Sequence, residues 1–219
     1  MRGIIIVAAL AIGVAVGVCG CGDKRQAVAP ARPAGVPHVV FVNVGEAVPT
    51  AVFEQAARTV REHIRVNIRY QRLAVIDPRE LVGGRGVVER LLGADVCVAV
   101  FIVSDPGAVS YLAQPGTWSL VNVHSLRKDG PSDELYRERV SKILLKGLGH
   151  AAGVGSNPDP RCVMYHKSFQ MAGLDATSTS YGPYAYFPLH DTLRMISGDA
   201  VFEPLDPIDN DTVRNGSAQ

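Results

Sequence analysis

The chain has 219 residues, and its 22 lysine and arginine residues nearly balance 21 aspartate and glutamate residues, for a formal net charge of +1. This balance, without a long basic run, excludes nucleic-acid binding driven by charge. The length suffices for one domain with a full hydrophobic core.

The first residues have the layout of a secretory signal. A basic start at Met1 and Arg2 precedes an apolar run over residues 3–18, which is shorter than the roughly 20 residues of a membrane-spanning helix. Cys21, which follows a glycine, fits a bacterial lipobox better than Cys19, which follows a valine. We therefore predict a lipoprotein signal peptide over residues 1–20. A plain secreted or membrane-anchored segment is the alternative.

A lipid on Cys21 would anchor the protein to a membrane of the bacterial cell envelope, facing outside the cytoplasm. Residues 21–37 are rich in alanine and proline, which favour extended backbone, and are predicted to form a tether. Residues 38–202 form the predicted domain. Residues 203–219, with two prolines and several aspartates, are predicted to form a flexible tail.

Hydrophobic patterns predict strands that alternate with helices along the domain. Near-continuous apolar runs predict buried strands at residues 38–44 and 95–103, the second of them central to the sheet. Alternating apolar and polar residues predict further strands at residues 66–75 and 118–126.

Three stretches between these strands favour helices. Apolar residues recur at helical spacing from Thr50 to Ile64. Asp77 and a following proline predict a second helix start, with glycine interruptions before the helix resumes at residues 87–92. Ser132 is a plausible cap for a long helix that ends near Gly153. These elements indicate a single α/β (α+β) domain with a mixed β-sheet packed against helices.

The end of the long helix carries the most informative motif. Metzincin zinc peptidases share the pattern H-E-x-x-H-x-x-G-x-x-H, in which three histidines bind zinc and the glutamate is the general base. In this chain His150 stands at the second histidine and Gly153 at the glycine. Lys146, Gly147 and Ser156 replace the first histidine, the glutamate and the third histidine.

The resemblance extends beyond this helix to the archaemetzincins, which continue the pattern with a cysteine, a C-x-M and a C-x-x-C. Cys162 and Met164 stand at the C-x-M, whereas Asn157 replaces the preceding cysteine, and Gly182 and Ala185 replace the final pair. The chain resembles archaemetzincins over most of the domain. This resemblance implies their mixed-sheet fold, including a metzincin-type active-site helix.

The replaced residues argue against zinc hydrolysis. The ammonium group of Lys146 has no lone pair and repels a cation, Ser156 is a poor substitute for imidazole, and a catalytic zinc site normally has three protein ligands. The loss of a general base at Gly147 alone costs about 10²–10⁴-fold in rate. Cys162 is the one thiol left in the four-cysteine structural site. We therefore predict no cofactor, with zinc as the alternative.

The replaced residues also predict how the end of the long helix and the segments after it pack. Gly147 and Gly149 would let another segment approach the helix closely. Aromatic packing is predicted to stand in for the structural metal, through a group of four residues: Tyr181, Tyr184, Tyr186 and Phe187. Met164 would form either the hydrophobic turn under the former zinc site or part of the ordinary core.

Several histidine, lysine and cysteine residues have more than one possible role. His150 is either a hydrogen-bonded helix histidine or one ligand of a rebuilt zinc site. The further ligand candidates are His166, His190, Asp175 and Asp191. Lys146 could join a polar network with His150, Tyr181 or Asp175. Cys97 and Cys162 could pair in an oxidising compartment, although the apolar surroundings of Cys97 favour a buried free thiol.

These observations predict a membrane-anchored lipoprotein with an archaemetzincin-like fold, catalytically inactive and acting as a binding or structural module. Its partners would be the membrane, through Cys21, and a peptide or protein ligand in the former cleft. The alternative is a zinc-dependent peptidase with a metal site rebuilt around His150. A third interpretation is an ordinary lipoprotein domain whose match to the pattern is accidental.

Overall fold

The computed structural model describes residues 35–106, 111–167 and 170–202. The predicted signal peptide, the lipidation site Cys21, most of the tether and the predicted tail lie outside the described residues. Within these ranges, none of the helices combines the length and the apolar composition that crossing a bilayer requires.

A mixed sheet lies at the centre of the described residues. Its strands are β1 (His38–Val44), β2 (Ile68–Leu73), β3 (Val96–Val103), β4 (Tyr111–Gln114) and β5 (Trp118–Asn122). Their order across the sheet is β2-β1-β3-β5-β4, and β4 alone of these five runs antiparallel to its neighbour. The predicted mixed sheet and the central position of β3 are thus confirmed.

Helices cover both faces of this sheet. They are α1 (Thr50–Ile64), α2 (Arg85–Leu92), α3 (Asp133–Ala151), α4 (Met171–Ala176) and α5 (Pro183–Ser197), with 3-10 turns at Glu80–Gly83, His124–Arg127 and Asp199–Phe202. Successive strand residues point to opposite faces. Phe41 and Val100 therefore pack in one core with α1, α3 and α5, while Val42 and Phe101 pack in a second core with α2.

The long helix α3 positions the candidate site. The Ser132 hydroxyl caps it by accepting a hydrogen bond from the Leu135 backbone N–H at 3.2 Å, as predicted. The helix packs on β3, β5 and α1. Gly153, just beyond its end, has a φ of +85°, a left-handed conformation that favours glycine.

Several elements differ from the sequence-based prediction. β2 is shorter than residues 66–75 and lies at a sheet edge, and the strand predicted at 118–126 ends at Asn122 before a 3-10 turn. The predicted start at Asp77 leads into the 3-10 turn Glu80–Gly83 and then α2. β4, α4 and α5 were missed by the prediction. α4 and β4 are short, and α5 contains Pro188, which cannot donate a helical hydrogen bond.

Candidate functional site

Lys146, at the position of the first zinc-binding histidine, is fully buried on α3. Its Nζ donates a hydrogen bond to the backbone carbonyl of Tyr165 at 2.7 Å. Burial lowers the pKa of this lysine from 10.5 to about 8, and the nearby Cys162 partly opposes the shift. The side chain therefore ties α3 to the segment just after Met164. A cationic group occupies the place where the family pattern has a metal ligand.

Gly147, at the position of the general base, lies against the sheet. A Cβ atom built on this glycine would be 2.8 Å from Val100 Cγ1 and 3.2 Å from Val121 Cγ1. The Ser119 hydroxyl donates to the Gly147 carbonyl at 2.8 Å, which holds the helix close to β5. The close approach expected at Gly147 is thus confirmed. A glutamate has no room here without movement of the sheet.

Replacing Gly147 by alanine tests this contact. A helical glycine-to-alanine change normally stabilises by about 1 kcal/mol. We expect the opposite sign here, a loss of about 1–3 kcal/mol in the free energy of unfolding, because Val100 is a stiff β-branched residue in the central strand. Gly86→Ala in α2 is the matched control, since its new Cβ would have no neighbour within 4 Å. Equal stabilisation of both variants, measured by urea denaturation, would contradict the close contact.

Gly149 allows a second close approach, by Met164. A Cβ on Gly149 would lie 2.5 Å from the Met164 sulfur and 3.3 Å from Tyr181 Cε1. Met164 is fully buried, so it packs directly beneath the helix. The Tyr181 hydroxyl donates to the Leu145 carbonyl, and burial raises the pKa of this phenol.

His150 lies near the end of α3, with its ring 4.3 Å from the ring of Tyr111 on β4, measured between centroids. Burial, and to a smaller extent the charge of Lys146, lower the pKa of His150 to about 4. The imidazole is therefore neutral at physiological pH. Ser156, at the third histidine position, is exposed. Sequence reasoning missed Tyr111 because β4 was not predicted.

The other candidate ligands lie in separate environments. His166 packs against Tyr165, and His190 stacks on Phe202 at 4.8 Å between ring centroids. Asp191 lies 3.7 Å from an Arg194 nitrogen. No three histidine, cysteine, aspartate or glutamate side chains in the described ranges lie together as a metal-binding group. The residues present do not fit a zinc ion held by His150 with these partners.

Two of the four positions where the family pattern has structural cysteines, Cys162 and Gly182, are in contact. The Cys162 sulfur accepts hydrogen bonds from the backbone N–H groups of Met164 at 3.4 Å and Gly182 at 3.3 Å. A Cβ on Gly182 would lie 3.9 Å from that sulfur. Asn157 and Ala185, at the other two positions, are also buried. Cys162 and Cys97 are both buried free thiols.

The predicted aromatic replacement for this metal is only partly correct. Tyr181 is buried, and Tyr186 is partly buried against the core. Tyr184 and Phe187 are 88% and 63% exposed, so the prediction that they pack in this region is wrong. Both lie on the outer side of α5, a helix that the sequence analysis did not predict.

A row of buried cations on α3 was also missed. Arg139, Lys142 and Lys146 recur at intervals of three and four residues, which places them on one side of the helix. Arg139 donates to Asp129 and Asp175 at 2.6–2.8 Å. Asp175, one of the three groups named as possible partners of Lys146, pairs with Arg139. The spacing of Arg139, Lys142 and Lys146 at three and four residues was the available signal.

Lys142 and Arg139 connect α3 to the segments that pack beside it. Lys142 Nζ donates to the Leu174 carbonyl at 3.1 Å and lies 2.7 Å from a Glu138 carboxylate oxygen. The ion pairs of Arg139 lower the pKa values of Asp129 and Asp175 through direct hydrogen bonds. Together with Lys146, these cations satisfy backbone carbonyls and carboxylates along residues 126–175.

Known proteins support the resemblance. The chain is 36% identical to the archaemetzincin of Methanopyrus kandleri over 110 residues, which are 49% of this chain and 59% of that relative. The crystal structure of that archaemetzincin matches with a TM-score of 0.56 at 24% identity, covering 74% of this chain and 98% of the structure. No protein-family model matches the chain.

Two further solved structures share the fold. A zinc-dependent peptidase from Methanocorpusculum labreanum matches with a TM-score of 0.54 at 17% identity, over 69% of this chain and 99% of its own. An archaemetzincin from Archaeoglobus fulgidus matches with a TM-score of 0.52 at 18% identity, over the same shares. The chain is therefore archaemetzincin-like in fold and in part of its sequence, with most zinc ligands and the catalytic glutamate of the pattern replaced.

Proposed function

We propose that this protein is a membrane-anchored lipoprotein that uses an archaemetzincin-like peptidase fold without peptide hydrolysis, as a binding or structural module. The observation that carries the proposal is the buried hydrogen bond from Lys146 to the Tyr165 carbonyl. This contact gives the first ligand position a structural role in linking α3 to the following segment.

The chemistry of the two neighbouring positions supports the same conclusion. With a pKa of about 8, Lys146 is mostly protonated at pH 7 and offers no lone pair to zinc. Gly147 supplies no base, and its contact with Val100 leaves no space for one. Hydrolysis of a peptide bond by this fold would need both an activated water and a group that accepts its proton.

The membrane anchor and the binding role rest on different grounds. The anchor is supported by the sequence around Cys21, with residues 21–37 as the tether. A lipid on Cys21 would hold the domain at the outer side of a bacterial membrane. The binding role is supported by the fold, which the chain shares with a protein described as a zinc-dependent peptidase, a class that accepts peptides. A peptide or protein ligand at the corresponding surface is therefore the proposed partner.

Metal content tests the proposal. The full chain would be purified from membranes in mild detergent, without a metal-binding tag, and zinc per chain measured by elemental analysis before and after zinc addition. We expect a value near zero in both cases. The zinc-dependent peptidase from Methanocorpusculum labreanum, prepared in the same way, is the positive control.

One result would favour the alternative function. His150 is the residue that supports it, since its neutral imidazole can donate to a metal. About one zinc per chain, lost in His150→Ala but kept in the control His124→Ala, would overturn the proposal. It would indicate a zinc site rebuilt around His150, and peptide cleavage would be assayed next.

A further inference from the structure

The outer side of α5 carries three exposed apolar side chains. Among the large hydrophobic side chains that are exposed in the described residues, Tyr184, Phe187 and Met195 lie on this helix, with exposures of 88%, 63% and 79%. Tyr184 and Met195 are three helical turns apart, and Phe187 follows Tyr184 by three residues, so the three side chains share one side. The opposite side, which includes Leu189 and Leu193, is buried in the core.

The chain enters the domain beside the end of this helix. The Asn67 side-chain amide donates to the Pro37 carbonyl at 3.4 Å and to the Ala200 carbonyl at 2.9 Å. The Asn67 backbone N–H also donates to the Val201 carbonyl at 2.8 Å. Gly35 lines the same surface pocket as Ile196. One asparagine thus holds the entry of the chain next to the residues that follow α5.

We infer that the exposed side of α5, defined by Tyr184, Phe187 and Met195, lies on the lipid surface to which Cys21 anchors the protein. This inference rests on the lipid anchor of the proposed function. The described part of the tether, at Gly35 and Pro37, joins the domain beside the end of α5. The 13 residues from 22 to 34 span at most about 45 Å, which keeps the helix within reach of the bilayer.

The chemistry of this surface suits the headgroup region of a membrane. Tyrosine is favoured where an apolar layer meets water, and phenylalanine is typical of the apolar side of helices that lie on a membrane. The same side of the helix carries one carboxylate, Asp191, and its 3.7 Å contact with Arg194 reduces the cost of placing it near lipid. Since the anchor already confines the domain to the surface, a weak apolar contact suffices to orient it.

Site-specific fluorescence tests this orientation. Phe187→Cys and Val75→Cys variants of the full lipidated chain would be labelled with a polarity-sensitive nitrobenzoxadiazole dye. Each would be reconstituted into vesicles of phosphatidylethanolamine and phosphatidylglycerol, with or without nitroxide-labelled lipid. Cys97 and Cys162 are buried and do not compete for the dye. Val75 is the matched control, because it is 80% exposed and follows the C-terminal end of β2, whereas the chain enters beside Asn67 at the other end of this strand.

The expected result is severalfold stronger nitroxide quenching at position 187 than at position 75, at every protein-to-lipid ratio. Equal quenching at the two positions in lipidated protein would overturn the inference and leave the anchor intact. Stronger emission at 187 without nitroxide quenching would also overturn it, because another part of the chain or a second copy would then cover α5. Absence of lipid on Cys21 by mass spectrometry would overturn the anchor, and this inference with it.

Discussion

Replacing Arg139 by leucine is expected to lower the free energy of unfolding by about 3–5 kcal/mol, because it removes one partner of a buried ion-pair network. The Arg139 side chain is 1% exposed and bridges Asp129, Asp175 and the Leu126 carbonyl. The two carboxylates are 52% and 34% exposed, so they regain water when unpaired, and the lower end of the range is expected. Urea denaturation in mild detergent measures the change.

Two variants control this prediction. Arg194→Leu removes an arginine that also pairs with an aspartate at 2.6 Å, but whose side chain is 54% exposed, so we expect a loss below about 1 kcal/mol. Arg139→Lys keeps the charge and loses the planar fork of donors, and an intermediate loss is expected. If Arg139→Leu were no more harmful than Arg194→Leu, the network would not hold α3 in place.

The stability of the protein relative to Lys146→Met is expected to rise by about 2–3 kcal/mol between pH 7 and pH 10. Burial lowers the pKa of Lys146 from 10.5 to about 8 in the folded state. Between these two values the unfolded chain binds more protons than the folded chain. Stability therefore increases with pH in this window, and methionine, which does not titrate, lacks the effect. Denaturation curves at several pH values give the difference.

The comparison with the variant is needed because other groups titrate in the same range. Burial raises the pKa values of Tyr111 and Tyr181, and these phenols reduce stability as the pH rises. Their contributions cancel in the difference between the two proteins. Lys167→Met removes an exposed lysine from the segment after Tyr165 and should parallel the unmodified protein. A constant difference for Lys146→Met across the pH range would mean that Lys146 is not desolvated.

Much of the fold could be predicted because its main elements have long, uniform patterns. β1 and α1 have the predicted bounds, and β3 and α3 differ by a residue or two, since continuous apolar runs and helical spacing define them. α5 could not be predicted in this way. Two prolines near its start mask a helix whose buried side consists of only three residues, which are Ala185, Leu189 and Leu193.

The sequence was enough to predict which residues of the zinc pattern are replaced. It was not enough to predict which contacts the replacing residues make. The pattern placed Lys146, Gly147 and Ser156 at the zinc and base positions. Nothing in the spacing indicates that Lys146 reaches the Tyr165 carbonyl or that Gly147 meets Val100, since both contacts join segments far apart in the chain. The sequence match to the Methanopyrus kandleri archaemetzincin, together with the shared fold, makes the interpretation as an ordinary domain with an accidental motif wrong.

The contact between Gly147 and the central strand has a consequence for evolution and for enzyme design. A lost general base is usually one substitution away from return. Here glutamate at residue 147 would first require smaller side chains at Val100 and Val121, or a shift of the whole helix. Each of those steps weakens the core before any activity is regained. The absence of the base is therefore hard to reverse, and reactivation would first require substitutions in the packing of the sheet.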